Sequence, residues 1–239
     1  MTGQILQIRP EHETLWFRRR DALKAAAAWL ALGAPPAAMA HQHSNVVELV
    51  GDVQLNGQRL LPNQTVQTGD QVKTGPASRL IFVIGDSAFQ VRPNSHLLLE
   101  RGSSLTTVSQ LRLYAGAVTS VWGASSHHQI LTPGLNATFR GVGVYAEVSE
   151  KPGRASYLCN CYGSLALSSG NDKTISASTY HEAFWAISGS NEGYALMPAD
   201  SINHTDEELE FLAHLINQKT AWQVSGKSAQ SAAISHTNK

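Results

Sequence analysis

The 239-residue chain is 42% hydrophobic, has a mean hydropathy of −0.17 and carries charge on only 15% of its residues. That is the profile of a soluble globular protein with enough apolar side chains for one sizeable core. Lys plus Arg equal Asp plus Glu at 18 each, so no basic surplus exists to meet phosphates and no nucleic-acid partner is expected. Two cysteines are too few for a disulfide scaffold.

The N-terminus reads as an address. Phe17-Arg18-Arg19-Arg20-Asp21-Ala22-Leu23-Lys24 opens a run of Ala, Leu and Trp that ends at Pro35-Pro36, and Ala38-Met39-Ala40 follows as a small-x-small cleavage pattern. A charged region, a short apolar region and such a site make a secretory signal. Arg19-Arg20-Asp21-Ala22-Leu23-Lys24 is similar to the twin-arginine motif R-R-x-F-L-K and departs from it at Ala22. The apolar run is shorter than the ~20 residues a membrane helix needs, so cleavage after Ala40, export to the periplasm and no membrane span in the mature form are expected. Without residues 1–40 the chain carries 13 basic and 15 acidic groups, a net charge of −2.

From Val46 onward, short runs rich in Val, Ile, Leu, Thr and Tyr alternate with Gly-containing turns. Val46–Val50, Val53–Leu55, Gln71–Lys73, Arg79–Ile84, Ala88–Val91 and Ser95–Glu100 are expected strands. They continue through Thr106–Tyr114, Ala117–Trp122, His128–Leu131, Asn136–Arg140, Val144–Val148, Ala155–Asn160 and Ser164–Leu167. Asn56-Gly57 is a two-residue hairpin turn, since both central positions favour positive φ. Many short strands with regular turns predict an all-β sandwich or roll.

One helix is expected at 205–218. Thr205-Asp206-Glu207-Glu208 is a capping box, and Asp206 and Glu207 lie where the helix dipole favours negative charge. Leu209, Leu212, Leu215 and Ile216 form an apolar stripe at helical spacing that should pack on the β body. The expected organisation is a signal peptide at 1–40, a linker at 41–45, a β domain at 46–187, a loop at 188–204, the helix, and a disordered tail at 219–239.

Two stretches carry a family pattern. The first is Val50-Gly51-Asp52-Val53, then Thr68-Gly69-Asp70-Gln71-Val72-Lys73-Thr74-Gly75, then Ser78-Arg79-Leu80-Ile81-Phe82. The second is Leu113-Tyr114-Ala115-Gly116-Ala117-Val118, then Leu131-Thr132-Pro133-Gly134, then Ala137-Thr138-Phe139-Arg140-Gly141-Val142-Gly143-Val144. In this order they resemble the FecR domain, over roughly 46–187. Family members of the ferric-citrate type join a cytoplasmic anti-sigma segment and one membrane span to a periplasmic domain that receives a signal. Here forty N-terminal residues cannot hold the anti-sigma part, and Val142 stands where the family commonly has Thr. The resemblance therefore implies a stand-alone periplasmic module that recognises a protein or envelope partner, without sigma-factor regulation.

Tyr157-Leu158-Cys159-Asn160-Cys161-Tyr162-Gly163 is the most unusual stretch. On a strand, residues i and i+2 share a face, with Cα atoms ~6.6 Å apart. A Cys159–Cys161 disulfide would lie near the upper geometric limit and be easily reduced. Two convergent thiolates suit a soft ion such as copper(I), or zinc(II). His181 and His204 can complete a four-ligand set, with His204 placed beside the capped helix. The same cysteines also fit a thiol-redox pair or plain core residues. His127 and His128 are expected in an exposed Ser-rich turn, and His41 and His43 at the new N-terminus.

Enzyme motifs are absent: the chain has no G-x-S-x-G, H-E-x-x-H or P-loop. Asp52, Asp70 and Asp86 lie beside turn glycines, which turn chemistry accounts for. The sequence thus predicts a non-enzymatic binding or signalling module, with periplasmic metal binding or thiol redox as the alternative.

Overall fold

In the computed structural model, residues 44–149, 155–188 and 194–226 are described. The strands run in order: β1 (Val46–Val50), β2 (Val53–Leu55), β3 (Gln58–Arg59), β4 (Gln71–Thr74), β5 (Arg79–Ile84), β6 (Ser87–Val91) and β7 (His96–Arg101). There follow β8 (Val108–Val121), β9 (His128–Leu131), β10 (Asn136–Val148), β11 (Ser156–Ser169), β12 (Asp172–Ser178), β13 (Glu182–Ser188) and β14 (Tyr194–Ala199). Two helices close the described chain, α1 (Asp206–Leu215) and α2 (Ala221–Val224). The fold is all-β and sandwich-like, as the sequence predicts.

β8, β10 and β11 are 13 or 14 residues long, where the sequence predicts two short strands for each. A glycine sits at every expected break: Gly116 at φ 73°, Gly141 at φ 60° and Gly163 at φ 104°. Each marks a bend inside a continuous strand rather than a turn between strands. A side chain there would strain the backbone. It would also collide: a Cβ on Gly116 would lie 2.5 Å from the Ser95 Cα, and one on Gly163 2.8 Å from the Gly141 carbonyl.

The bends let each long strand serve two sheet halves. In one half the order is β3-β2-β4-β7-β8-β9-β10-β11-β12, using residues 108–115 of β8, 136–139 of β10 and 163–169 of β11. In the other it is β1-β5-β6-β8-β10-β11-β13-β14, using residues 116–121, 143–148 and 156–160 of the same strands. Strand alternation then sorts the side chains. Leu80, Phe82, Val118, Val144, Ala146 and Leu158 face inward and join Leu97, Leu111, Leu113, Ile130 and Leu167 from the first half in the main core.

The opposite face of the second half carries Ile81, Ala88, Val121, Tyr145, Tyr157, Cys159 and Cys161. Leu209, Leu212 and Ala213 of α1 and Trp222 of α2 cover it. A ten-residue helix is marginal alone in water, so its cap and this burial, worth ~1.5–3 kcal/mol per leucine, hold it. The capping box forms as predicted, Thr205 with Glu208. Glu208 also accepts from Gln90 Nε2 at 2.8 Å and pairs with Arg92, which moors the helix start to the sheet.

Several boundaries differ from expectation. The segment expected as a loop at 188–204 contains β14, because Ala183–Ser188 offers it an open edge to pair with. The start of the expected tail forms α2, whose Trp222 is 2% exposed and donates to Glu210 at 2.7 Å. His128 is not exposed: its ring packs against Trp122 and Phe139, and Nδ1 lies 2.8 Å from the Val108 carbonyl. His127 is exposed and meets Arg140. The expected signal peptide, His41, His43 and residues 227–239 lie outside the described residues. Among the described residues no helix is long and apolar enough to cross a membrane.

Candidate metal centre

Four predicted side chains come together. Cys159 and Cys161 project from β11 on the helix-covered face, both fully buried and free. His181 ends the turn from β12 to β13, and its N–H donates to the Cys161 carbonyl at 3.0 Å. That bond holds a φ of 39°, a region costly for a residue with a side chain. His204 precedes the N-cap Thr205, and Asn203 turns the chain into place at φ 60°.

The donor atoms of all four lie within 4.8 Å of one another. His181 Nδ1 is 3.5 Å from Cys159 Sγ, His204 Nε2 is 3.4 Å from Cys161 Sγ, and the two nitrogens are 3.2 Å apart. The far side of each imidazole is occupied. His181 Nε2 lies 2.7 Å from Asp206 Oδ1, and His204 Nδ1 lies 2.6 Å from the Ile202 carbonyl. Both outer partners are acceptors, so those nitrogens carry the protons and the inner nitrogens can turn lone pairs to the centre. A carboxylate or carbonyl behind the imidazole is the usual support of a metal-bound histidine.

Aromatic rings wall the site. Tyr145 stacks on His204 at 4.7 Å and 15°, and Trp222 on His181 at 5.6 Å and 24°. Tyr157, fully buried, donates to the Asp200 carbonyl at 2.8 Å and accepts from the Ile202 N–H at 3.2 Å, pinning the segment before His204. Burial, followed by the charge at Cys159, raises the Tyr157 pKa and keeps its phenol protonated as a donor. Tyr180 donates to Asp206 Oδ2 at 3.0 Å. Burial and that carboxylate push the Tyr180 pKa up to about 12.

The thiols differ in acidity. Burial opposes a charge on Cys159, but hydrogen bonds from Cys161, His181 and His204 outweigh it and hold this thiol well below its ordinary range. Burial and the neighbouring Cys159 push the Cys161 thiol well up. Burial also works against a charged His181, yet Cys159 and Asp206 prevail and raise its pKa. The pocket thus pulls its two thiols in opposite directions, Cys159 toward the thiolate and Cys161 toward the neutral thiol.

Sequence reasoning finds the four donors but not their supports. It gives Asp206 only a helix-dipole role, and it passes over Tyr145, Tyr157, Ser201 and Trp222. None follows a spacing rule, although Tyr157 stands two positions before Cys159 and Asp206 two beyond His204.

No family model and no curated protein matches the chain. Among solved structures it is similar to two crystal structures of a candidate anti-sigma factor from Parabacteroides distasonis ATCC 8503. One aligns with a TM-score of 0.44, the other with 0.43, both at 7% identity. The alignments cover 54% and 56% of this chain and 60% and 61% of that one, so the chain spans about three fifths of the protein it matches.

Proposed function

We propose that the protein is an exported, non-catalytic binding module in which Cys159, Cys161, His181 and His204 hold one zinc(II) or copper(I) ion. The donor spacing carries this reading. A tetrahedral ion with bonds of ~2.05 Å to nitrogen and ~2.3 Å to sulfur has N–N edges of about 3.3 Å and N–S edges of about 3.6 Å. The pocket offers 3.2 Å between nitrogens and 3.4 and 3.5 Å on two of the four N–S edges, with every other edge within 4.8 Å. Two thiolates and two neutral imidazoles are the donor chemistry of such ions. Four protein donors fill the coordination sphere and leave no place for substrate, the mark of a structural or sensing centre.

The signal-like pattern in the sequence of residues 1–40 supports a periplasmic setting, and the FecR-like motif order supports recognition of a protein partner in the envelope by the β surface. A second reading, reversible thiol redox, is favoured by the contrast between an acidic Cys159 and a reluctant Cys161.

Metal analysis of the full-length protein, purified without chelator, tests the proposal. About one zinc or copper per chain is expected, with loss of binding in the Cys159→Ser/Cys161→Ser variant. Cobalt(II) should give the visible bands of a tetrahedral thiolate complex. A protein that takes up neither metal nor cobalt, yet cycles between two thiols and one disulfide, would transfer the assignment to the redox reading.

A further inference from the structure

The donors are sealed on nearly every side. Cys159 and Cys161 rise from the sheet below, the Tyr145 and Trp222 rings cover the two imidazoles, and Asp206 and the Ile202 carbonyl stand behind them. Of the described side chains hydrogen-bonded to the inner nitrogens, only Ser201 is exposed. Its hydroxyl lies 3.5 Å from His181 Nδ1 and 3.4 Å from His204 Nε2. It thus spans the N–N edge of the site from the solvent side. The residues flanking Ser201 are both tied to the Tyr157 hydroxyl, at 2.8 and 3.2 Å, so the backbone beneath it is held on both sides.

Resting on the metal-binding reading above, we propose that Ser201 is the doorway of the site. An ion passes between the Ser201 hydroxyl and the two imidazole nitrogens, and Ser201 sets the rate of exchange rather than the affinity. The buried walls would have to separate from the sheet or the helix to admit an ion elsewhere, whereas here one hydroxyl must swing aside. Once an ion takes both nitrogen lone pairs the hydroxyl can no longer donate to them, so Ser201 obstructs the path by its position over the N–N edge rather than by a hydrogen bond.

The test compares the zinc-loaded full chain with Ser201→Ala and Ser201→Thr, following transfer of zinc to the chromogenic chelator 4-(2-pyridylazo)resorcinol. Removing the hydroxyl from the opening predicts exchange about 5-fold faster in Ser201→Ala, a barrier lower by about 1 kcal/mol. Ser201→Thr keeps the hydroxyl and adds a methyl group at the opening, so it should exchange no faster than the parent. Equilibrium affinity should shift by less than about 3-fold, well short of the 10- to 100-fold cost of removing a partner that orients a ligand. Parental rates in both variants would overturn the doorway and leave the metal site standing, as would an affinity loss above about 10-fold in Ser201→Ala, which would make Ser201 a ligand. A parent protein that binds no zinc would remove the metal reading and the doorway with it.

Discussion

The two faces of the second sheet half are built from the same strands and put to different uses. Inward, Leu80, Phe82, Val118, Val144 and Leu158 meet the first half in an apolar core. Outward, one residue along, Ile81, Tyr145, Tyr157, Cys159 and Cys161 lie under α1 and α2 among histidines and a buried carboxylate. The inner face is held by area removed from water, which tolerates exchange of one aliphatic for another. The outer face adds directed contacts to its apolar ones, and buried polar atoms such as His181 Nε2 and Asp206 Oδ1 depend on their partners there. A β-strand can carry both programmes because its side chains alternate.

Substitutions can break or sharpen this contrast. The largest effect on stability should come from the inner face. Leu80→Ala, at a fully buried position, should cost about 2–5 kcal/mol in denaturant unfolding, while metal binding by the folded fraction is unchanged. On the outer face, Asp206→Asn preserves shape but replaces the carboxylate facing His181 Nε2 with an amide. Metal affinity, read by chelator competition, should fall about 10- to 100-fold, with a smaller change in the unfolding midpoint than Leu80→Ala. Should both substitutions lower stability equally and leave affinity alike, the division of labour between the faces is wrong. The smallest effect belongs to neither face: Arg79→Ala removes an exposed pair with Glu48 and should change stability by less than about 1 kcal/mol.

Much of the fold was legible because the relevant forces are local. Alternation in Leu111, Arg112 and Leu113 gives a strand with one buried face, and the structure buries the two leucines and leaves the arginine partly exposed. Thr205 through Glu208 gives a capped helix start, and the cap forms. The glycines at 116, 141 and 163 show where local reading fails. A glycine with positive φ signals a turn when only neighbours along the chain are considered. Here each glycine lets a strand bend and change partners, a choice made by strands some thirty residues away. The 188–204 segment and His128 misled for a related reason: pairing to an open edge and burial between Trp122 and Phe139 depend on partners distant in sequence.

The sequence by itself determined the residue types of the candidate centre: two sulfurs on one strand face, a histidine after the next strand and another before a capped helix. Strand periodicity and capping chemistry act over two to four residues, so that information is present in a single chain segment. Only the tertiary structure decided that these segments meet. The bends in β10 and β11 set the strand against β13, the docking of α1 brings His204 over it, and Asp206, Tyr157 and Trp222 then fix the rings. Spacing can propose ligands, but the distances that separate a metal pocket from scattered core residues arise from packing between elements 20 to 45 positions apart.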